Sequence, residues 1–505
     1  MKKKMFLTGA VVLGLGMTAC NNDEIIQKGA DGTTFAGMYV SAIRSTQTRA
    51  LSDSQEDYVG RQAESKLSRL TLISTESPRS WTFAASEGDG KFWETGSNTG
   101  IFKVSPWKTN PKAETMALLF NPINDMQISV ATAPTMVFGS AATAKDDIAA
   151  LSTEGNFVMT SSVLQKTIAP NISEETAKTG TSEGDNVFTF DVERVVSQGI
   201  VVKDNNLSQT TADGKGDINL GKITYAAING AAETYLFRNS AGDRTLAVID
   251  GLYKDFKSAI DDYVDFEDAQ SPTGTARAKL IRLGNLASSA DGKTNEDLGN
   301  YKAIPVANMD NAKSKRGIYF LENSVKKSEF TAANKDFGFY RLAYAKVYAT
   351  FTPKEVWHWE NDKLVKKNGV EGETFYRGEG DGIIYASKEA AQKSQLNPNQ
   401  KAYTYKDGKC AYRALWNRQL NDDGKTVQNA DARRNNTYLL TIKAFQGLGM
   451  PWDPSDPNDP NLPKPTDPDE PTKPENPDIE KEETYMRVDA KVLQWNLVSR
   501  EVILE

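Results

Sequence analysis

Histidine is almost missing from this chain: 505 residues carry one, His358. A catalytic triad or a Cys–His pair would have to use that single imidazole, and a metal site built from several histidines is excluded. Cysteine is nearly as scarce, and Cys20 and Cys410 allow at most one disulfide. Positive charge is not in excess: 60 Lys and Arg stand against 67 Asp and Glu, a formal net charge of −7. Nucleic acid, held mainly through its phosphates, is therefore not an expected partner. Past the first twenty residues there is no apolar run of the roughly 18 residues that a membrane helix needs. Together these absences point away from an enzyme and towards a structural or binding protein, and no metal or cofactor is expected. The length suits two to four domains at about 150 residues each.

The chain opens with Lys2, Lys3 and Lys4, then the apolar stretch from Met5 to Gly16, then Met17-Thr18-Ala19-Cys20. A basic start, a short apolar run and small residues before a cysteine read as a lipoprotein signal peptide over 1–20, with Cys20 the acylated residue. Lipid on Cys20 would be the membrane attachment, and the acidic start Asn21-Asn22-Asp23-Glu24 resembles the surface-export tags of outer-membrane lipoproteins. Cys410 is then left alone inside AYTYKDGKCAYRALW, which alternates around Asp407-Gly408. That pattern predicts a hairpin over 403–416 with a type I′ turn, and a packed cysteine rather than a nucleophile.

What the body has in quantity is period-two alternation. KLSRLTLIST (66–75), ETMALLF (114–120), FTFDVERVVSQGIVV (188–202), KITYAAI (222–228) and ETYLF (233–237) make one set. RGIYFLEN (316–323), RLAYAKVYATFTPK (341–354), GIIYAS (382–387), the 403–416 stretch and NTYLLTIKAF (436–445) make a second. Val, Ile, Thr, Tyr and Phe dominate them, as half-buried strands require. Helical spacing is confined to 246–266. The expected fold is all-β, with two β-sandwiches over 50–240 and 241–450.

Residues 451–478 break the pattern. Ten of the chain's twenty prolines fall there, with Asp453, Asp456 and Asp459 between them. Proline cannot donate to a ladder, so the segment reads as a stiff, soluble spacer rather than a calcium site. After it, alternation resumes over 479–505. Met486, Val488, Ala490 and Val492 alternate with Arg487, Asp489 and Lys491, and Trp495, Val498, Val502 and Leu504 follow. A long apolar strand on a leash must pair with its own body or with another chain, because an unpaired edge aggregates.

Several clusters resemble chemistry and are better read as structure. RGEGDG (377–382) lacks the helix and lysine of a phosphate loop and reads as a hairpin turn. Asp422-Asp423-Gly424 lacks the rest of a calcium loop. Asp261, Asp262, Asp265, Glu267 and Asp268 could in principle pair as hydrolytic carboxylates, but a solvated acidic face is the commoner arrangement. Trp357 and Trp359 flank His358 on one strand face. They could form a sugar platform, the basis of an alternative reading as a surface glycan-binding lipoprotein, but core or interface packing is the commoner reason for two tryptophans on one strand face.

In order along the chain, FTPK (351–354), GETFYRGEGDGIIYAS (372–387), RRNNTYLLTIK (433–443), LGMPW (448–452), the Asp/Pro spacer and VLQW (492–495) resemble the fimbrillins of the Bacteroidota, the type V pilins. Among these the likeness is to subunits that build the shaft of short (minor) fimbriae. VERVV (192–196) and YAAINGAAETYLF (225–237) extend it more loosely towards the N-terminus. The resemblance implies two transthyretin-like β-sandwiches and assembly by strand exchange. An arginine-specific protease removes a first strand, and the C-terminal strand of another copy fills the groove. Carried over here, the propeptide is 21–49, cut between Arg49 and Ala50, with Arg44 and Arg61 as alternatives. TTFAGMYVSAIR (33–44) is the removable strand, with Ala36, Met38, Val40 and Ala42 on one face. Met486, Val488, Ala490, Val492, Trp495, Val498, Val502 and Leu504 belong to the donor strand. Further implied partners are other copies in a head-to-tail polymer, accessory tip and anchor fimbrial proteins, and receptors on host or bacterial surfaces. Implied roles are adhesion and biofilm formation at the cell surface.

Overall fold

The computed structural model describes residues 34–41, 57–58, 62–75, 78–96, 100–123, 128, 137–138, 150–228, 230–231, 234–237, 263–264, 304–309, 317–321, 343–417, 419–420, 427–429, 432–451 and 486–495. Over these residues the chain is almost all strand, as the period-two runs predict.

Ten strands form the first sheet: β1 (Thr34–Ser41), β2 (Arg69–Ser74), β3 (Arg79–Phe83), β4 (Lys91–Glu94), β5 (Ile101–Val104), β6 (Trp107–Thr109), β7 (Lys112–Phe120), β8 (Met159–Ser161), β9 (Leu164–Ile168) and β10 (Val187–Arg194). Their order is β8-β10-β1-β5-β4-β3-β2-β7-β9, with β6 also on β1. Met159 lies opposite both Arg194 of β10 and Phe120 of β7, so β8 closes the sheet into a ring. Inside the ring alternation places Leu70, Phe92, Phe102, Met116, Leu118 and Phe188, none more than 1% exposed. Phe92, Phe102 and Phe120 meet edge to face with centroids 5.4 to 6.4 Å apart, the arrangement their ring quadrupoles favour. A short helix, α1 (Glu174–Thr179), lies between β9 and β10. The Ser173 hydroxyl caps it by accepting from the Thr176 amide at 3.0 Å.

The remaining strands are β11 (Val196–Lys203), β12 (Gly216–Ile218), β13 (Thr224–Ile228), β14 (Ile318–Leu321), β15 (Tyr344–Pro353), β16 (Val356–Glu360), β17 (Lys363–Lys367), β18 (Phe375–Gly378), β19 (Ile384–Tyr385), β20 (Ala402–Tyr405), β21 (Lys409–Leu415), β22 (Asn436–Phe445), β23 (Met450–Pro451) and β24 (Met486–Trp495), plus several two- and three-residue ladders. One sheet runs β24-β22-β11 with β14 beside β11, and another runs β13-β15-β21-β23 with β12 on β15. Aromatic side chains join them: Trp416 stacks on Phe320 at 5.5 Å, and Tyr412 meets Phe445 at 4.8 Å. Gly199 is required at this junction, because a Cβ there would lie 2.6 Å from the Trp416 ring. Between β15 and β21, which pair with each other, the chain inserts a separate five-stranded sheet, β17-β16-β19-β18-β20, and a second helix, α2 (Lys388–Gln392).

Three expectations change. The seam expected near 240 lies at Val195: β10 ends in the first sheet, and β11, one residue later, pairs with β22 and β14. Residues 196–228 therefore belong with the C-terminal sheets. The chain does not form a hairpin over 403–416. Asp407 and Gly408 do take left-handed φ values of 54° and 69°, as a type I′ turn needs. Yet β20 pairs with β18 while β21 pairs with β15, so this turn passes the chain from one sheet to another. Of the helical stretch predicted over 246–266, Tyr263–Val264 are described and are extended, paired with Gly230–Ala231. The rest of that stretch, the five acidic residues of 261–268, and the spacer beyond Pro451 lie outside the described residues.

Candidate functional site

β1 alternates through TFAGMYVS, and Thr34, Ala36, Met38 and Val40 are each 0% exposed. Ala36, Met38 and Val40 are three of the four side chains assigned to the removable face; the fourth, Ala42, lies outside the described residues. β1 has partners on both sides. It runs parallel to β10, from Gly37 opposite Val187 to Ser41 opposite Asp191. On its other side it is antiparallel to β6 over Thr34–Ala36 and to β5 over Tyr39–Ser41. A strand that both completes the ring and fills the core leaves two open edges and an apolar trough if it departs.

A polar clasp holds its N-terminal end. Asn186 stands in the left-handed region at φ 53°. Its amide nitrogen donates to Thr34 Oγ1 at 3.2 Å and to the carbonyls of Phe35 and Ala169 at 3.0 and 2.8 Å. Its Oδ1 accepts from the Ala169 amide at 2.7 Å. Thr34 Oγ1 donates to the Ala169 carbonyl at 2.9 Å and accepts from the Ile172 amide at 3.0 Å. On the outer face Lys103 lies over the Tyr39 ring at 4.9 Å. Sequence reading missed Asn186; the available signal was an Asn ending the Glu183-Gly184-Asp185 turn just before a strand.

The C-terminal strand is docked on its own chain. β24 lies antiparallel to β22 from Met486 opposite Phe445 to Gln494 opposite Asn436, with an irregularity between Ile442 and Ala444. Gln494 and Trp495 also lie opposite Asp57 and Tyr58. Met486 is buried at 3%, Arg487 is exposed and Val488 packs on the main core, so the alternation holds where side chains are described. Ala490, Val492 and Trp495 are placed in the ladder by their backbone, and Val498, Val502 and Leu504 lie outside the described residues. So do Cys20, Arg44, Arg49, Ala50 and Arg61.

Downstream of the expected cut, the chain is pinned at the seam. Glu64, 0% exposed, accepts at Oε1 from the Tyr319 hydroxyl at 2.5 Å and from Gln198 Nε2 at 3.0 Å. Its carbonyl accepts from Arg194 Nε and Nη2 at 3.2 and 3.1 Å. Asn435 Oδ1 accepts from the Arg194 amide and Nη1 at 3.2 and 3.3 Å. The RRNN run thus serves the junction between the two groups of sheets.

The other singled-out residues are structural. Trp357 and Trp359 are half-buried against the small cluster of Tyr385, Ala390 and Ala391, with Lys366 and Lys393 over their rings at 5.1 and 5.5 Å. RGEGDG is a hairpin turn between β18 and β19. Within it Asp381 Oδ2 accepts from Tyr385 at 2.7 Å and from Ser394 and Gln400 at 2.6 Å. Burial pushes the Asp381 carboxyl up, but the hydrogen bonds from Ser394, Tyr385, the Ile383 amide and Gln400 outweigh it and hold it below the usual carboxylate range. Cys410 is fully buried in β21, and burial pushes its thiol up to about 12, the state of a packed residue. Among the described residues no cluster of His, Cys, Asp and Glu could hold a metal ion.

Residues 403–501 match the family described as major fimbrial subunit protein type IV, fimbrillin, C-terminal. That span runs from β20 through β24, taking in the docked C-terminal strand. Among solved structures, a fimbrilin (FimA) from Porphyromonas gingivalis is similar at 14% identity and a TM-score of 0.43, covering 93% of this chain and 99% of that one. The tip fimbrial protein Mfa3 from Porphyromonas gingivalis, with a C-terminal truncation, is similar at 11% identity and a TM-score of 0.30, covering 91% of this chain and 100% of that one. Over residues 403–501 the chain thus carries a C-terminal fimbrillin domain.

Proposed function

We propose that this chain is a fimbrillin, a shaft subunit that polymerises by protease-triggered strand exchange. The precursor is a lipoprotein, acylated at Cys20 and held at the outer membrane. An arginine-specific protease cuts after Arg49, β1 leaves, and the C-terminal strand of another copy takes its place. Accessory tip and anchor proteins and surface receptors are the remaining partners, and adhesion and biofilm formation the roles. The single observation that carries this reading is the complete burial of Ala36, Met38 and Val40 in a strand that ends just before the arginine-bearing segment.

Physical arguments favour the exchange. Burying those three side chains stabilises the resident strand by on the order of 5 kcal/mol, before its ladder hydrogen bonds are counted. While covalently attached, β1 also has a high effective concentration, so a strand in trans loses the competition. Cutting the chain removes that advantage and leaves an apolar trough open to β-augmentation. Met486, Val488, Ala490 and Val492 supply the matching alternation. One copy's C-terminus in the next copy's groove is a heterologous contact that does not close, which makes a filament.

Arg49→Ala tests it against Arg44→Ala in surface-extracted material. Arg49→Ala is expected to abolish detergent-resistant high-mass bands or reduce them at least tenfold, while Cys20 acylation and export continue. Normal polymers from Arg49→Ala, with Thr34–Ser41 still attached to each subunit, would overturn the reading.

A further inference from the structure

We propose that helix α1 is a lid over the β1 groove, and that a second copy's C-terminal strand enters only once this lid lifts. The lid presupposes the strand exchange proposed above. Its basis is steric. β1 passes so close beneath α1 at Gly37 that a Cβ there would lie 2.3 Å from the Ala177 carbonyl oxygen and 3.3 Å from its carbon. The obstacle is helix backbone rather than the end of a flexible side chain, so the helix itself has to shift. Gly37 sits between Ala36 and Met38, which both point into the core, and therefore faces outward.

The resident strand meets that constraint with glycine. Residues 483–505 contain none. With Met486, Val488, Ala490 and Val492 filling the inward positions, Arg487, Asp489 and Lys491 face outward. Whichever of these lies under Ala177 brings a side chain into space that holds only hydrogen. Reversing the strand direction leaves the alternation unchanged, and slipping by one residue turns the charges into the core. The closed lid and the incoming strand exclude each other.

The lid is also lightly held. α1 has six residues, of which Ala177 alone is buried. A surface ion pair, Lys178 with Glu87 at 2.6 Å, ties the helix itself to the body, and another, Lys166 with Glu183 at 2.5 Å, ties down the turn that follows it. Pairs of this kind contribute little in water. The chain on either side of α1 is bonded to β1: the Phe35 amide donates to the Ile172 carbonyl just before the helix, and the Gly37 amide to the Asn186 carbonyl at the start of β10, both at 3.0 Å. The departure of β1 removes the bonds that hold both flanks of α1, which frees the helix to lift and readies the groove for a strand without glycine.

The test uses the chain without its first twenty residues, with a site-specific protease sequence in place of residues 45–50. Glu87→Cys and Lys178→Cys, joined by a bismaleimide, pin α1 to the loop that carries Glu87. Cys410, being buried, does not compete for the reagent. After cutting, binding of a labelled 484–505 peptide is followed by fluorescence anisotropy. Association with the pinned protein is expected to be at least tenfold slower than with the unpinned one. A peptide with glycine in place of Arg487, Asp489 or Lys491 recovers the rate, and the position that does so reports the register. Without any cross-link, Gly37→Val is expected to release the resident strand from the cut chain at least tenfold faster. Equal association with pinned and unpinned protein, recovery by none of the glycine peptides, or unchanged release from Gly37→Val would each overturn the lid while strand exchange stands. Binding of no peptide to either protein would overturn strand exchange, and the lid with it.

Discussion

Asn186 does more for β1 than any single apolar side chain on that strand. Its left-handed backbone at φ 53° suits asparagine, and its side chain makes four hydrogen bonds at a site that is 0% exposed. Asn186→Ala withdraws all four and adds backbone strain, at a cost of about 3 kcal/mol. Urea unfolding is expected to show that loss as a lower midpoint with an unchanged slope. A loss below about 1 kcal/mol would mean that apolar burial alone seats the strand. The apolar side of this site was legible in the sequence, because period-two alternation names Ala36, Met38 and Val40 directly. Asn186, Gly37 and Glu64 were not. Asn186 and Glu64 act through partners distant in sequence: Asn186 lies 152 residues from Thr34 and Glu64 255 residues from Tyr319. Gly37 acts on a helix that local pattern did not reveal.

Turns were legible as turns, but their consequences for elements were not. Alternation around RGEGDG and the absence of a following helix predicted a hairpin, and β18 and β19 form one. Alternation around Asp407-Gly408 predicted another, and there the same left-handed turn chemistry switches sheets instead. A local pattern fixes the backbone at a corner, whereas the partner of each strand is decided by long-range packing, here β18 and β15. The inserted sheet offers a test at this scale. Asp381 receives hydrogen bonds from β19, from beyond α2 and from Gln400, so one carboxylate ties the insert together. A carboxyl held below its unfolded value contributes stability above that value and loses it as the pH falls through the folded one. Asp381→Asn is therefore expected to cost about 1–2 kcal/mol at pH 7. Its deficit relative to the natural protein is expected to shrink as the pH falls below about 4. Denaturation at pH 7 and at pH 3 checks this, and a deficit that is the same at both would contradict it.

For the molecule as a whole, the all-β architecture and the C-terminal fimbrillin domain were written in alternation and motif order, while the seam was not. The change of sheets at Val195 falls inside one continuous alternating run, 188–202, with no Gly, Pro, Asn, Asp or Ser between Val192 and Val196 to announce it. The buried contacts of Arg194, Glu64 and Asn435 mark it instead. Around that seam the chain holds its two ends differently. β1 is one stave of the ring of the first sheet, and β24 lies at the far side of β22 with, among the described residues, only Asp57–Tyr58 beyond it. On the proposed account the first end is discarded and the second is handed to the next copy. N-terminal sequencing, with intact mass, of the subunits in fimbriae sheared from the cell surface tests that most directly. The account predicts subunits that begin at Ala50, lack Thr34–Ser41 and retain the strand from Met486 onward. Polymerised subunits that begin at Cys20 and still carry Thr34–Ser41 would contradict it.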